Sequence, residues 1–325
     1  MGKVMNNINK KEASVIIPYY NDSKVFERCL LSVIHQAYCP KEIIIIDDNS
    51  YDSSDLKSII EKYKDEISII YERNLINKNA AFSRNRGVDL SNCEIIAFLD
   101  ADDYWHTEHL STSINQLLKH DADFVYSNVI EVNPLGELKK RKVDNISELE
   151  NAFDIVLKSP PQTGSFVFYK KLMNEVRFDE SLRRHQDYQF LIDVIRAGKK
   201  HHYIDAYNTY YCESHRPFSS RVNFDSMFKF WSDYYKLFTE NQLKKFLIRN
   251  LCLSLRIKGS KKISWYLEHY KAFEITKDTA FIKLYKLIGD NNIISKATLF
   301  LFFHLTYNLN NIPRLIISKT RVLLK

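Results

Sequence analysis

A chain of 325 residues with 45% hydrophobic and 27% charged side chains has the length of about two domains and enough apolar content for a real core, which argues against disorder. Its seven glycines never fall in a G-x-G arrangement, which excludes the dinucleotide fingerprint and the Walker A loop. The net charge of +7 hides an asymmetry: residues 1–215 carry 27 Lys and Arg against 33 Asp and Glu, and residues 216–325 carry 20 against 7.

The N-terminus, MGKVMNNINKKEA, lacks an apolar h-region and predicts no secretory signal, and Gly2 lacks the downstream Ser or Thr of a myristoylation site. The five cysteines, Cys29, Cys39, Cys93, Cys212 and Cys252, form no C-x-x-C pair and read as reduced thiols in a cytosolic setting. The longest apolar stretch, Ile293–Ile317, is broken by Lys296, His304, Pro313 and Arg314, so no membrane span is expected.

Ser14–Pro18 (SVIIP) predicts a first buried strand, followed by the turn Tyr19–Asp22. Asn21 or Asp22 can cap a helix that runs to about His35 on the apolar face of Phe26, Leu30, Val33 and Ile34. Glu42–Ile46 predicts a second strand, ending on Asp47-Asp48-Asn49-Ser50. A helix over 53–63, a strand over 67–71 and a helical stretch over 79–90 follow. Ile95–Leu99 is a fourth apolar run, and it stops on Asp100, Asp102 and Asp103 before Tyr104 and Trp105. Three carboxylates within four residues repel one another unless a cation sits among them, and oxygen ligands suit Mg²⁺ or Mn²⁺. A solvated acidic turn is the plain alternative for that stretch alone.

Four alternations of strand and helix predict an α/β, doubly wound parallel sheet with right-handed crossovers. Polar residues recur at the same end of every strand, where a parallel sheet places a ligand crevice. Further on, a helix to Leu118, a strand at Phe124–Tyr126 and a turn at Asn133–Gly136 lead into the basic run Lys139–Lys142, read as a solvated hairpin face. A Pro-Pro loop enters an aromatic strand within Ser159–Lys171, and a helix is expected over Phe190–Ala197, ended by Gly198. Beyond about Arg216 the pattern is helical and basic.

The series VIIPYYN, IIIIDDNSYD, SRNRGV, FLDADDYW and FDESLRRHQDYQFLI resembles the inverting family 2 glycosyltransferases of the GT-A fold over roughly residues 13–220. The resemblance implies a GT-A, Rossmann-like sheet with a helical C-terminal extension, a UDP-sugar donor and a divalent metal (Mn²⁺ or Mg²⁺). It also implies single displacement with inversion. With the charge pattern, the chain divides into a flexible 1–12, a donor-binding half over 13–130, an acceptor-binding half over 131–220 and a basic helical region over 221–325. Matched position by position, Pro18 and Tyr20 line the uracil pocket and Asp48 accepts hydrogen bonds from the base. Arg84 lies near the donor phosphates, although a surface salt bridge would also account for it. Asp100 takes the ribose side of the D-x-D, Asp102 ligates the metal, and Asp103 reaches the metal through water or touches sugar hydroxyls. Asp187 matches the catalytic base, with a helix N-cap as the structural alternative. It departs from the pattern in following Gln186, where the family usually has an acid. His215, before paired serines, matches a residue near the diphosphate or metal, and a purely structural histidine is the alternative. The Q-x-x-R-W signature of processive members is absent, which favours transfer of a single sugar.

The basic tail lies outside that resemblance. Leu299–Leu305 and Leu315–Leu324, flanked by Lys296, Arg314, Lys319, Arg321 and Lys325, suit an anionic bilayer surface, and a packed helical subdomain would suit them too. Nucleic acid is not an expected partner, because no binding-fold signature accompanies the charge. Such a tail points to a lipid-linked (undecaprenyl-diphosphate) saccharide acceptor, with the loop Pro160–Ser165 and Arg183 and Arg184 as candidate contacts. The enzyme would then add one hexose, glucose or galactose, in O-antigen or capsule repeat-unit synthesis, peripherally on the cytoplasmic face of a bacterial inner membrane. A non-catalytic GT-A scaffold in a glycan-assembly complex is the competing class. A nucleotidylyltransferase is disfavoured, since VIIPYYND lacks the Gly-rich phosphate loop that chemistry needs.

Overall fold

The computed structural model describes residues 11–157, 159–213, 223–243 and 246, so His215 and the apolar-basic stretches of the tail lie outside the described residues. The first four strands of the sheet grow from the apolar runs of the sequence. These are β1 (Ala13–Tyr19), β2 (Glu42–Asp47), β3 (Ser68–Arg73) and β4 (Ile95–Phe98). Every residue of β2 and β4 is buried, as befits interior parallel strands covered by helices on either side. They lie parallel in the order β3-β2-β1-β4, linked by α1 (Ser23–Ile34), α2 (Ser53–Tyr63) and α3 (Ala80–Leu90). Register aligns Tyr19 with Asp47 and Asp47 with Arg73, so the loops leaving three strands emerge side by side. The four-fold strand–helix alternation is thus the parallel half of the fold.

The second half departs from simple alternation. After β5 (Tyr104–Trp105) and α4 (His109–Lys119) come β6 (Phe124–Val132), β7 (Leu138–Arg141) and β8 (Val167–Tyr169). Then follow α5 (Gln186–Arg196), β9 (His201–Cys212) and α6 (Phe224–Tyr234). The sheet continues from β4 through β8, β6, β9 and β5, with β7 hairpinned onto β6. Strand β8 is antiparallel to both β4 and β6, β6 and β9 run parallel, and β5 is antiparallel to β9. One sheet therefore runs from Ala13 to Cys212.

Two elements differ from expectation. Helix α5 begins at Gln186 rather than Phe190, because His185 takes a left-handed turn (φ 63°) that ends the charged loop early. Strand β9, HHYIDAYNTYYC, escapes a search for apolar runs: its aromatic residues alternate with polar ones and it is only partly buried. It is held by pairing with β6 on one side and β5 on the other.

Helix α1 buries Phe26, Cys29, Leu30 and Val33 against the sheet, and Phe26 meets Tyr19 edge-on at 5.2 Å. On the other face, Phe190 of α5 stacks on Phe178 at 4.4 Å and abuts Phe124, Phe166 and Phe168. A fully buried aromatic side chain contributes about 1.5–3 kcal/mol, so this cluster fixes α5 to the sheet. The chain forms two compact units divided after Phe230, and within the second Trp231 packs on Phe238 and Phe246. No helix among the described residues is long and apolar enough to cross a membrane.

Glycine at 87 is dictated by proximity. A Cβ there would lie 2.4 Å from Ile16 Cγ2, so α3 sits on β1 at a distance only glycine permits. In an exposed helix interior Gly→Ala stabilises by about 0.5–1 kcal/mol. Here the sign reverses: Gly87→Ala is expected to destabilise by about 1–3 kcal/mol through overpacking, read as a lower urea midpoint at unchanged m-value. A stabilised variant would show that α3 has room to move.

Candidate functional site

A cleft of about 500 Å³ opens where β1, β2 and β4 end, closed on its far side by the start of α5. Its walls include Pro18, Tyr20, Asp48, Arg84, Asp100 and Asp102. Arg183, Arg184 and Asp187 face it from the other side. The fold thus gathers nine of the eleven residues singled out from the sequence onto one cavity.

Asp48 is the most tightly organised of the acids. Its Oδ1 accepts from Asn74 Nδ2 and from the Lys78 amide, both at 2.8 Å, and its Oδ2 accepts from the Asn79 amide at 2.8 Å. Two backbone donors and an asparagine hold the buried carboxylate in place, and the loop 74–79 wraps around it. Asp47, one residue earlier, points the other way. Burial raises its carboxyl, but hydrogen bonds from Ser53, Ser50 and Tyr71 outweigh that and hold it below the usual carboxylate range.

Arg84 is 5% exposed, and its guanidinium links three elements. One nitrogen donates to Asp100 Oδ1 at 2.5 Å, at the tip of β4, and another donates to Gln186 Oε1 at 3.0 Å, in the first turn of α5. The Phe178 ring lies 5.3 Å beneath it. Arg84 is accordingly a buried ion pair facing the cleft, not the surface salt bridge of the alternative reading. Gln186 in turn donates to the Leu182 carbonyl at 2.6 Å and to Asn79 Oδ1 at 3.3 Å. Asn79 caps α3, accepting from the Ala81 and Phe82 amides.

The β4 tip sorts its three carboxylates by environment. Asp100 pairs with Arg84, and Asp102 opens on the cleft. Asp103 corrects the expectation placed on it. It is 1% exposed, accepts the Cys212 amide at 2.7 Å and is not among the residues that line the cleft. The cause is the turn after Asp100, where the Asp103 amide bonds back to the Asp100 carbonyl and β5 swings the side chain under β9. Burial, followed by the charges of Asp102 and Asp100, pushes the Asp103 carboxyl well above the ordinary range. Arg28 braces the tip from α1, donating to the Asp102 carbonyl at 2.8 Å while lying over the Tyr104 ring at 4.6 Å.

Asp187 sits in the first turn of α5, where the N-cap position belongs to His185. Burial raises its carboxyl above the usual range, against the pull of the Tyr188 amide and the Arg84 charge. The loop before it is anchored by a residue that sequence reasoning passed over. Ser226 Oγ of α6 accepts the amides of Arg183 and Arg184 at 2.8 and 2.9 Å. Gln162 and Thr163, from the expected acceptor loop, reach the cleft, as do Tyr211 and Cys212 at the end of β9. The last two had no sequence signal once β9 went unread, whereas Asn79 could have been found as a capping residue ahead of a helix. His215 lies outside the described residues.

Among the described residues no three of His, Cys, Asp and Glu form a ready metal cage. The donor set at the tip nonetheless fits a hard cation. Asp102 and Asp100 offer carboxylate oxygens alone, and Mg²⁺ or Mn²⁺ takes one or two carboxylates plus substrate phosphates.

Comparison with known proteins agrees with this geometry. The model of glycosyl transferase family 2 matches residues 14–215, and the chain belongs to that family. It is 32% identical over 197 residues to the amylovoran biosynthesis glycosyltransferase AmsB of Erwinia amylovora, a match covering 58% of this chain and 65% of AmsB. It is 40% identical over 115 residues to the UDP-Glc:alpha-D-GlcNAc-diphosphoundecaprenol beta-1,3-glucosyltransferase WfaP of Escherichia coli, covering 35% of this chain and 45% of WfaP. These matches span less than two thirds of either relative. The fold is that of S. aureus TarS 1–349 solved with UDP-GlcNAc, at a TM-score of 0.59 and 20% identity over 88% of this chain and 83% of that one. That likeness makes the sheet a GT-A fold.

Replacing Gln186 with Leu removes the acceptor of a buried guanidinium nitrogen while keeping the side-chain bulk. The expected loss of stability is about 1–3 kcal/mol by urea unfolding, and a loss within error would mean that Arg84 finds another partner.

Proposed function

We propose that this chain is an inverting hexosyltransferase that moves one sugar from a UDP-sugar to a lipid-linked saccharide. The observation that supports it is the meeting of Asp48, Arg84, Asp100, Asp102 and Asp187 on a single cleft, from positions up to 139 residues apart. In this reading Asp48, with Pro18 and Tyr20, receives the uracil. Its carboxylate is already fixed by three donors and needs no reordering to accept a base N–H. Asp100 lies toward the ribose, paired with Arg84, whose charge faces the diphosphate. Asp102 holds a divalent cation, Mn²⁺ or Mg²⁺, which when bound offsets the charge of the departing diphosphate. His215 is a further candidate near that group. Residues 13–130 then form the donor half and 131–220 the acceptor half.

Asp187 takes the proton from the attacking hydroxyl as the new C1–O bond forms on the face opposite the leaving group. The bond from C1 to the β-phosphate oxygen breaks with its electron pair leaving on UDP, which inverts the anomeric centre. Burial raises the basicity of the carboxylate, and the Arg84 charge keeps it from being raised further. Arg183, Arg184 and the loop 160–165 contact the acceptor.

Of the two hexoses favoured by the sequence, glucose gains from WfaP and WfgD of Escherichia coli, both UDP-Glc:alpha-D-GlcNAc-diphosphoundecaprenol beta-1,3-glucosyltransferases. A β-linkage in an O-antigen or capsule repeat, made on the cytoplasmic face of the inner membrane, follows from the same acceptor class.

Asp187→Asn is expected to lower kcat by at least about 100-fold while UDP affinity by calorimetry stays within about twofold. Lost UDP binding would instead make Asp187 a donor-site residue. In the native enzyme kcat/KM is expected to fall on the acid side at a pH above the ordinary carboxylate range. A raised carboxyl loses its basic form earlier as pH drops, and a limb at or below pH 4 would contradict that assignment. Asp102→Ala is expected to abolish the Mn²⁺ dependence of UDP-glucose binding, and unchanged dependence would remove the metal from that residue. Absence of turnover with every UDP-sugar tried would leave the scaffold reading standing.

A further inference from the structure

Large apolar side chains stand out where the loops after β1, β2 and β3 meet. Leu75 is 95% exposed, Tyr51 86% and Ile76 60%. They belong to one surface because hydrogen bonds tie their loops together. The Tyr51 amide donates to Asn21 Oδ1 at 2.9 Å and Asn77 Nδ2 to the Asp48 carbonyl at 3.2 Å. Arg73 donates to the Ser50 carbonyl at 2.9 Å. The Asp48 carboxylate clamps the same loop from inside, so Leu75 and Ile76 are presented by a braced turn.

Cations lie beside this rim. Arg73 and Lys78 flank Leu75 and Ile76 and are exposed, and Arg183 reaches across to Asn77 Oδ1 at 3.5 Å. Arg73 pairs with the buried Asp47 at 3.4 Å and Glu72 with Arg86 at 2.6 Å, while Glu180 accepts from Asn85 at 2.9 Å and is exposed, so the further cations of the rim are Lys78 and Arg183. The surface therefore offers a few protruding apolar groups beside the exposed cations Lys78 and Arg183.

We propose that the rim of Tyr51, Leu75 and Ile76 is the surface by which this chain rests on an anionic bilayer. Three side chains on loop tips are far short of the roughly 800 Å² per partner that a stable protein interface buries, which disfavours a second copy of the chain. They match what an interfacial anchor uses: a tyrosine at headgroup depth, two aliphatic groups below it and Lys or Arg toward acidic lipid. The rim adjoins the cleft through Tyr20, Asn77 and Arg183, so a chain seated this way has the cleft mouth beside the lipid surface. This rests on the lipid-linked acceptor proposed above only for its purpose; the contact itself requires neither donor nor acceptor.

The test uses the full chain with vesicles of phosphatidylcholine alone or of phosphatidylcholine mixed with phosphatidylglycerol, whose negative surface attracts basic residues. Leu75→Trp is expected to be quenched by brominated lipid beyond the wild-type background in the anionic vesicles, whereas Asn92→Trp, before β4 at the opposite end of the sheet, is not. The double variant Leu75→Asp, Ile76→Asp is expected to partition about tenfold less into those vesicles while binding UDP as tightly as the wild type. Vesicle binding without extra quenching at Leu75 would place the contact elsewhere and overturn the proposal. So would absence of binding, or self-association that shields Leu75 in lipid-free solution. None of these outcomes touches the reading of the reaction, which stands or falls with UDP-sugar turnover.

Discussion

The buried charge of Arg84 is the constraint on which the site depends. A guanidinium withdrawn from water must be paired and hydrogen-bonded, because an uncompensated buried charge costs several kcal/mol. Its two partners, Asp100 and Gln186, come from the end of β4 and the start of α5, elements 86 residues apart in the chain. Satisfying one side chain therefore sets the distance between the acidic tip and the helix that carries Asp187. Gln186 extends the constraint through Asn79 to the loop that fixes Asp48. The acids of the cleft are placed by neutral and cationic neighbours, which is why they can gather without repelling one another apart.

Handling of negative charge is the second theme. Three aspartates at one strand tip cannot all stay ionised side by side at no cost. The fold answers with three environments: an ion pair for Asp100, burial that favours the protonated form for Asp103, and the open cleft for Asp102. Asp100 and Asp102 line the cavity, and Asp103 is withdrawn from it. The arrangement suits a multiply charged ligand that brings its own counter-ion, and it is poorly suited to a neutral one.

The parallel half of the fold was legible because buried parallel strands must be apolar on both faces, a pattern that IIII and IIAF display directly. The site was legible for the same reason, since polar residues following such runs collect at one end of the sheet. What escaped was set by tertiary pairing. Strand β9 has no apolar run and exists because β6 and β5 flank it. The direction of Asp103 was equally hidden: D-A-D-D reads as four adjacent positions, and only the β5 turn decides which acid faces inward. Ser226, 39 residues beyond Asp187, could not be tied to the loop at 183–184 by any local pattern.

The substitution of an acid by Gln186 is best understood through Arg84. A second carboxylate at that position would share the guanidinium with Asp100 and leave little positive charge toward the cavity. An amide satisfies the same nitrogen at 3.0 Å and carries no charge. Arg84 then faces a single carboxylate within hydrogen-bond range, and the sum of the pair stays less negative by one unit than it would with an acid. A multiply charged anionic ligand meets less repulsion in such a cleft, and Asp187, which feels the same guanidinium, is held more readily in its basic form. What looks in the sequence like the loss of a motif residue is, in the fold, a redistribution of charge around an arginine that the rest of the site leans on.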